Sequence, residues 1–530
     1  MILVSTEVSR ALDLEAQTSW GFNTFSLLEA AGRLSCQALA SYGLTGGCSS
    51  GALKFTVCAG EGNNGADAMI MLRSWILSSV TQASTSAVLL TRMPKSGETG
   101  HWVDIFHSLK KMKVKFLVWD SDGGETAGSA SSDILIHSDI IIDGISGTGI
   151  TGPLSGKALG LVRAINFRKK KNNSHTRFPT PCIVSVDVPS GNFDGWEPGM
   201  PIVNADITLA IEPRKYCMYT PAARPFAGTI IPVGGIFPQE LIAKQKGAEL
   251  LTWETAREKV LKIPADAYKS KRGTVEIHSG SAGTTGAAEI AGRGAQAAGA
   301  GLIRLIVDDD IYPILASRSG GIMVTPASGG NFFEGRHKPD SILLGPGWGL
   351  SSARKEVLDK ACALEKNGIP LVLDADAIEL AKGLTFSGNA IITPHPGELC
   401  KYSGIDKTEW LKRPAPLLLK LARERNAVIL LKGHVITIAA PNGRLGVVDG
   451  MKGALASGGT GDLLAGFCAA IAARMVQEGN SFDAFTCAAA AATLLIASAS
   501  SERLKQRFYD PIELACEAAN LAGEAWLKEI

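Results

Sequence analysis

The sequence lacks several features that would assign it to a class at once. Its formal net charge is only +2, which gives no global attraction to nucleic acid or to a membrane surface. None of its 10 cysteines forms a C-x-x-C pair, which argues against a zinc site or a disulfide framework and for a reduced, cytoplasmic setting. The longest apolar run, CAAAAATLLIAS (487–498), is too short to span a bilayer and predicts a buried helix. No basic stretch followed by an apolar segment opens the chain, so we expect no signal peptide.

What the chain does contain is glycine, with 59 residues, and a regular alternation of short apolar runs with helix-like segments. This pattern predicts parallel sheets covered by helices on both faces, and 530 residues predict two or three domains. We predict an α/β protein of two different three-layer domains, at 1–240 and 263–530, joined by a linker helix at 241–262. The candidate strands lie within 53–60, 86–91, 139–145, 182–188, 206–211, 273–280, 302–308, 341–347, 370–376, 390–396 and 427–433.

One basic run, FRKKKNNSHTRFPTP (167–181), could contact nucleic acid. It has few interleaved aromatic residues, and a solvated loop is the better interpretation. We therefore expect no nucleic-acid partner.

Three glycine-containing turns follow candidate strands in the first half. AGEGNNGADAM (59–69) supplies the amides of Asn63 and Asn64 and the carboxylate of Asp67 at a strand end, where α/β sheets bind ligands, although an Asn-Gly turn needs no ligand. DGISGTGITGPLSGK (143–157) contains G-x-G-x-x-G but fits neither the dinucleotide fingerprint nor a P-loop.

The third turn, SVDVPSG (185–191), places Asp187 at the end of an apolar strand. A partly buried carboxylate there can transfer protons, because burial raises its pKa toward a useful value. A helix-capping or turn aspartate is the structural alternative.

The second half carries five further turns at strand ends. Two of them suggest phosphate chemistry: Lys432 follows a strand as a compact positive charge, and GGTGDLLAG (458–466) opens a helix whose first N–H groups favour an anion. Asp462 in that first turn could accept a proton from a hydroxyl that attacks phosphorus, or could simply cap the helix. The other turns are LLGPGWG (343–349), LDADAI (373–378) and TPHPGE (393–398).

Residues 1–238 resemble the N-terminal epimerase domain of the NAD(P)H-hydrate repair enzymes, a Rossmann-like fold. The resemblance rests on LLEAAGR (27–33), N-N-G-x-D, D-x-x-x-G-T-G, D-x-P-S-G and NADITLAIEPRK (204–215). The chain departs from the family's G-G-D-G at Ala66 and Ala68, and alanine is costly wherever glycine's positive φ or close approach is needed. By this resemblance Asp187 faces the hydrated dinucleotide, which is contacted by Asn63, Asn64, Gly65, Asp67, Gly147, Thr148 and Gly149. The resemblance also implies a potassium ion held by Asn64, Asp143 and Ser190.

Residues 255–530 resemble the ADP/ATP-dependent NAD(P)H-hydrate dehydratases of the ribokinase-like superfamily. G-P-G-x-G, D-A-D-A, T-P-H-x-x-E and A-x-G-G-x-G-D occur in that order, after GSAGTTGAAEIAGRGAQAAGAGLIRL (280–305). The chain departs from the family at Tyr268, where the family has H-K-G, and at Ile436, where it has threonine. By this resemblance the hydrate is contacted by Ala287, Gly347, His395 and Asp462, and the adenine nucleotide by Lys432, Gly433, Gly458, Gly459, Thr460 and Gly461.

The resemblance implies a cytoplasmic enzyme, expected to be a homo-oligomer, with both isomerase and lyase activity. It would interconvert the (R) and (S) hydrates and dehydrate the (S) form at the expense of ADP, giving AMP and phosphate, with ATP as the alternative nucleotide. We expect Mg²⁺ with the nucleotide. Two alternatives stay open: a ribokinase-like small-molecule kinase such as a hydroxymethylpyrimidine kinase, and a dehydratase whose N-terminal domain has lost activity.

Overall fold

A computed structural model describes residues 1–43, 53–120, 130–170, 180–260, 262–329, 332–333, 338–477, 482–504 and 508–527. Most of the basic run lies at 171–179, outside these residues. The chain divides into two compact units, Ile2–Ala248 and Glu249–Ile530, the second of which also includes Met1. No helix of the described ranges is long and apolar enough to cross a membrane.

The N-terminal unit contains a sheet of seven described strands, all parallel, in the order β4-β3-β2-β5-β6-β7-β8. The chain therefore reverses direction across the sheet between β2 and β5, and this is the switch point at which doubly wound sheets bind ligands. The strands are β2 (Phe55–Ala59), β3 (Ala87–Leu90), β4 (Lys115–Val118), β5 (Ile140–Gly144), β6 (Cys182–Val186), β7 (Ile207–Ile211) and β8 (Thr229–Val233), after a short β1 (Ile2–Leu3).

Helices cover both faces of this sheet, which confirms the predicted Rossmann-like three-layer fold. One core lies between the sheet and the apolar sides of α1 to α4 and α7, and a second lies between the opposite face and α5 and α6. β2 and β5 are buried along their whole length, as expected for central strands. The helices are α1 (Thr6–Ser19), α2 (Thr24–Ser41), α3 (Asn63–Leu77), α4 (His101–Lys111), α5 (Ala130–Ile136), α6 (Gly156–Lys170) and α7 (Gln239–Ala243).

The C-terminal unit contains a larger sheet in the order β9-β18-β17-β16-β15-β14-β13-β10-β11-β12. The strands from β16 to β12 in this order are parallel, and β16, β17 and β18 form an antiparallel meander at the other side. The strands are β9 (Ala248–Leu250), β10 (Thr274–His278), β11 (Leu302–Val307), β12 (Met323–Pro326), β13 (Ser341–Leu344), β14 (Leu371–Leu373), β15 (Ala390–Ile392), β16 (Val428–Leu431), β17 (Val435–Ala439) and β18 (Leu445–Asp449).

Helices also cover both faces of the second sheet, so this unit is the predicted α/β/α sandwich. α8, α9, α10, α16, α17 and α18 share one core, and α11 to α15 share the other. The alanine-rich run at 487–498 lies in buried α17, as predicted. The helices are α8 (Trp253–Arg257), α9 (Thr285–Ala297), α10 (Tyr312–Arg318), α11 (Ser352–Lys366), α12 (Asp376–Leu380), α13 (Pro396–Ser403), α14 (Lys407–Lys412), α15 (Pro414–Arg425), α16 (Thr460–Gln477), α17 (Ala484–Ser500) and α18 (Pro511–Trp526).

α9 and α16 cross at two glycines. A Cβ added to Gly466 would lie 2.3 Å from the carbonyl oxygen of Ala291, and one added to Gly294 would lie 2.5 Å from the carbonyl oxygen of Leu463. The two backbones therefore touch with no side chain between them. This crossing fixes where α16 lies relative to α9, and with it the position of the first turn of α16.

The predicted linker helix at 241–262 is wrong. α7 ends at Ala243, β9 occupies Ala248–Leu250, and α8 begins only at Trp253. Gly247 is a poor helix former, and Thr252 caps a new helix through a capping box with Thr255. The charged residues of the stretch suggested an exposed helix, but Glu249 and Leu250 of β9 pair with β18 instead.

Candidate active sites

A cavity of about 430 Å³ opens at the carboxyl ends of the strands in the N-terminal unit. The loops after β2, β5, β6 and β7 contribute to it, together with α1 and α2. Seven predicted residues line this cavity: Asn63, Asn64, Asp67, Gly147, Thr148, Gly149 and Asp187. The motifs that are separate in sequence thus meet in one place, and their roles in binding stay predictions.

Gly65 lies beside the cavity but does not line it. A Cβ at this position would lie 2.2 Å from the carbonyl oxygen of Gly60, so glycine is required where α3 begins against β2. Ala66 and Ala68 are buried within the regular turns of α3. Gly144 leaves room for Ala68, since a Cβ at Gly144 would lie 2.5 Å from the Cβ of Ala68. Ala66 and Ala68, the departures from G-G-D-G, therefore lie at helical positions, where alanine is more favourable than glycine.

Ser190 links Asp143 to Ser146, which Asn64 also contacts. The carboxylate of Asp143 accepts hydrogen bonds from Ser190 N at 2.9 Å, Ser190 Oγ at 2.5 Å and Ser185 Oγ at 2.7 Å. Ser190 Oγ and Asn64 Nδ2 both lie within hydrogen-bond distance of Ser146 O, at 3.1 and 3.0 Å. Burial raises the pKa of Asp143, and these hydrogen bonds oppose that effect. Carboxylate, hydroxyl, amide and carbonyl oxygens are a donor set that fits a hard cation.

Asp187 follows β6 with a positive φ of 66°, an uncommon conformation for a residue with a side chain. This turn brings its carboxylate to the buried ammonium of Lys215, which lies 2.5 Å away and also donates to Ile211 O at 3.0 Å. Lys215 lines the cavity too. Lys215 ends the NADITLAIEPRK stretch, and nothing in the sequence pairs it with Asp187.

The side of α1 that faces the cavity was missed. Ser9, Arg10, Asp13 and Gln17 line it, and Arg10 Nη1 donates to Thr148 O at 2.8 Å. Polar residues at positions 9, 13 and 17 share one helical face, so the spacing was a usable signal. Burial raises the pKa of Asp13 to about 6; Lys215 opposes this increase and Asp187 adds to it.

The second site lies in the C-terminal unit, where α16 begins. Thr460 is its first residue, and Asp462 lies in its first turn, as predicted. Lys432 follows β16, and its Nζ would lie 3.3 Å from a Cβ built on Gly461. Thr460 and Gly461 thus begin α16, Gly458 and Gly459 directly precede it, and Lys432 lies beside Gly461.

Lys432 is surrounded by carboxylates. Its Nζ lies 2.6 Å from Asp374 Oδ1 and 3.9 Å from Glu398 Oε2, and Asp374 also accepts a 2.8 Å hydrogen bond from Thr393 Oγ1. Burial lowers the pKa of Lys432, but Asp374 and Glu398 outweigh it, and the pKa is raised overall. Burial, followed by the charge of Asp374, raises the pKa of Asp462 to about 7, against the opposing effect of Lys432.

The TPHPGE turn is a helix cap. His395 Nδ1 accepts hydrogen bonds from Gly397 N at 2.9 Å and Glu398 N at 3.3 Å, while Glu398 Oε2 accepts from His395 N at 2.8 Å. This capping box fixes the start of α13 and holds Glu398 beside Lys432. His395 itself is exposed on the same side.

Gly347 and Ala287, both predicted to contact the hydrate, touch each other. Gly347 has a φ of 58°, and a Cβ there would lie 2.9 Å from the Cβ of Ala287. Thr284 Oγ1 and Ser281 Oγ donate to Gly347 O at 2.7 and 3.0 Å. The G-P-G-x-G loop is thereby held on the N-terminal end of α9.

The D-A-D turn, whose aspartates were noted in the sequence without a role, connects these parts. Ala375 has φ 45° and ψ −120°, a conformation suited to glycine. It sends Asp374 toward Lys432, whereas Asp376 accepts a 2.6 Å hydrogen bond from Gly349 N in the G-P-G-x-G loop. One strained residue thus positions both a charge partner of Lys432 and the loop.

The two departures from the dehydratase motifs, Ile436 and Tyr268, lie in different environments. Ile436 is buried in β17 and packs in the core. Unlike the threonine of the family, its side chain has no hydroxyl to donate. Tyr268 is exposed, just before a short helical turn at Lys269–Arg272.

Comparisons with known proteins match both units. The family model of NAD(P)H-hydrate dehydratase matches residues 275–520, and that of the YjeF-related protein N-terminus matches residues 24–217. A bifunctional NAD(P)H-hydrate repair enzyme Nnr of Escherichia coli (strain K12) is 31% identical over 377 residues, with 69% of this chain and 68% of that protein covered. That of Moorella thermoacetica is 27% identical over 474 residues, with 86% and 84% covered.

Among solved structures, an ADP/ATP-dependent NAD(P)H-hydrate dehydratase from Bacillus subtilis is 24% identical, with a TM-score of 0.47, and the match covers 53% of this chain and 100% of that one. The two family models, which match successive parts of the chain, and the Escherichia coli relative agree on one assignment. The chain belongs to the bifunctional NAD(P)H-hydrate repair enzyme family.

Proposed function

We propose that the protein repairs hydrated nicotinamide dinucleotides, with an epimerase in its N-terminal unit and an ADP-dependent dehydratase in its C-terminal unit. The observation that carries the dehydratase assignment is Asp462 in the first turn of α16 beside Lys432, with a carboxyl pKa of about 7. Such a carboxyl gains and loses a proton near neutral pH, as a general base requires.

The chemistry starts from a poor leaving group. Hydration places a hydroxyl on the nicotinamide ring, and hydroxide does not leave readily. Asp462 would take the proton of this hydroxyl while its oxygen attacks the terminal phosphorus of ADP, and AMP leaves. The C–O bond then breaks, phosphate departs with the electron pair, and loss of a proton from the neighbouring carbon restores the ring double bond.

The residues around the reacting phosphorus would stabilise its charge. The N–H groups at the start of α16, with Gly458, Gly459, Thr460 and Gly461, would face the phosphates. Lys432 and Gly433 would lie along the nucleotide, and Ala287, Gly347 and His395 would contact the hydrate. Magnesium usually binds through one or two carboxylates and the phosphates, and Glu398 would offer a carboxylate near this loop.

The N-terminal cavity supports the epimerase assignment. Asp187 would transfer a proton there, while Asn63, Asn64, Gly65, Asp67 and the loop of Gly147 to Gly149 would hold the dinucleotide. The oxygen donors of Asn64, Asp143 and Ser190 fit a potassium ion, which would compensate the buried charge of Asp143. A cytoplasmic location and a homo-oligomer rest on the sequence alone and would be tested by fractionation and size-exclusion chromatography.

Recovery of NADH absorbance tests the proposed function. Purified protein is incubated with hydrated NADH and ADP, or with ATP in a parallel reaction, and the NADH band should return. No recovery with either nucleotide contradicts the dehydratase. A stable phosphorylated hydrate would instead indicate a small-molecule kinase. Conversion of the (R) hydrate faster than spontaneous inversion shows the epimerase, and Asp187→Ala should lose only this acceleration.

A further inference from the structure

Three carboxylates in the N-terminal cavity share one ammonium group. Asp13 on α1, Asp67 on α3 and Asp187 after β6 all line the cavity with Lys215. If all three were ionised, the cluster would carry a net charge of −2 in a partly buried place. Burial, together with like charges at short range, disfavours such a state and raises the pKa of both Asp13 and Asp67.

The contacts distinguish the three carboxyl groups. Asp187 is in direct contact with the Lys215 ammonium, 2.5 Å away. Asp67 lies deeper, and its Oδ1 is buried without a hydrogen-bond partner among the described residues. No side chain of the described ranges donates to the Asp13 carboxyl, which faces the cavity, and burial raises its pKa to about 6. Asp13 is therefore the group placed to exchange a proton with a bound molecule.

The remaining charged groups around Asp13 are engaged elsewhere. Arg10, one turn earlier on α1, donates to Thr148 O. Glu212, on the opposite wall, accepts from the backbone N–H groups of Ile236 and Phe237 at 2.6 and 2.9 Å. Among the residues that the structure describes, the charges of Lys215 and Asp187 act on the pKa of Asp13, and the charge of Asp13 raises that of Asp67.

We propose that Asp13 is the general acid of the epimerisation and Asp187 its base. This proposal rests on the proposed epimerase function of the N-terminal unit. The hydroxyl of the hydrate is on the carbon next to the ring nitrogen, because protonation of the enamine leaves the positive charge there. That nitrogen can stabilise the cation formed when the hydroxyl leaves.

The steps balance as an isomerisation. Asp13 gives its proton to the hydroxyl, the C–O bond breaks with its electron pair on oxygen, and water leaves. The ring nitrogen supplies electrons to form a C=N bond. A water molecule then adds to the opposite face of the same carbon, and its surplus proton passes to Asp187. Water in the cavity returns this proton to Asp13, so nothing is consumed.

The test compares Asp13→Asn, Asp13→Glu and the control Glu15→Gln in the full-length protein. Glu15 lies on the same helix but does not line the cavity. Inversion of the (R) hydrate is followed chromatographically without ADP, between pH 5 and 8. We expect Asp13→Asn to lose about 100-fold of the rate above the spontaneous background, as for a removed general acid. The wild-type protein and Asp13→Glu should slow as the pH rises above about 6, because the acid loses its proton.

Three outcomes separate the possibilities. If the wild-type protein does not accelerate inversion, the epimerase function itself is wrong. If it does, and Asp13→Asn keeps both its rate and its pH profile, the role of Asp13 is wrong. ADP-dependent dehydration of the (S) hydrate by the same preparations measures integrity of the chain, and thermal unfolding of Asp13→Asn shows whether the N-terminal unit is folded. A folded variant without acceleration, with partial rescue by Asp13→Glu, supports the proposal.

Discussion

Replacing Asp462 with asparagine should remove activity and stabilise the fold at the same time. The amide keeps the size of the side chain but cannot take a proton from the substrate hydroxyl. Loss of a general base costs about 10²–10⁴-fold in rate. We therefore expect ADP-dependent dehydration by Asp462→Asn to fall at least about 100-fold, while inversion of the (R) hydrate is unchanged.

The stability gain follows from the pKa of the carboxyl. Folding raises it from 3.8 to about 7, chiefly by burial. At about 1.36 kcal/mol per pKa unit, this increase in pKa limits the free-energy cost of ionising Asp462 in the folded state to about 4 kcal/mol. Because the side chain is partly exposed, we expect a gain of about 1–3 kcal/mol for asparagine at pH 8.

The sign of the pH dependence is fixed by linkage. The folded-state pKa is the higher one, so the wild-type protein loses this stability as the pH rises from about 4 to about 7. The asparagine variant has no such loss. Its advantage should be absent near pH 4 and complete above pH 7.

Scanning calorimetry of the full chain at several pH values measures this difference. The transition of the C-terminal unit is identified as the one that ADP shifts upward. Asp359→Asn, which removes an exposed carboxylate on α11, serves as the control and should show no such pH dependence. An advantage of Asp462→Asn that is equal at all pH values, or retained dehydration, would refute the reasoning.

Two further substitutions test backbone geometry. Ala375→Gly should raise the melting temperature of the C-terminal unit, since relief of the positive φ is worth about 1 kcal/mol, and should slow dehydration by loosening the D-A-D turn. An unchanged or lower melting temperature contradicts the strain. Gly65→Ala should destabilise the N-terminal unit by about 1–3 kcal/mol in calorimetry, because its methyl group meets the carbonyl of Gly60. The matched change Ala66→Gly should cost only about 1 kcal/mol as a helix-propensity effect, and equal losses for both would contradict the contact.

Most of the central strands could be predicted from the sequence, whereas β17 and β18 and the edge strands β4, β8 and β12 were not. β2, β5, β13 and β14 are buried throughout, so each appears as a continuous apolar run. β4, β8 and β12 lie at sheet edges or ends, and most of their residues are partly exposed. β8 also contains Pro232, and β12 ends in Pro326. Edge positions tolerate such residues, so the strand pattern disappears where half the surface faces solvent.

The candidate sites were predictable to the extent that they are local. Asn63, Asp187 and Asp462 each lie in a glycine-rich turn at a strand end or helix start, and the structure places them there. Lys215, which pairs with Asp187, and Asp374, which pairs with Lys432, follow other strands, and only the strand order brings each pair into contact. Because the fold and not a fixed spacing along the chain brings these charges together, the sequence contains no pattern that identifies the pairs.

The crossing of α9 and α16 at Gly294 and Gly466 affects how an activity screen of variants would be interpreted. Gly466 lies about one turn beyond Asp462 on the same helix. A methyl group at Gly466 would meet the carbonyl of Ala291 and push α16 away, carrying Asp462 with it. A misplacement of about 1 Å can cost about 100-fold in rate. A screen that scores only turnover would rank Gly466 with the reacting groups, although it has no side chain to offer a substrate.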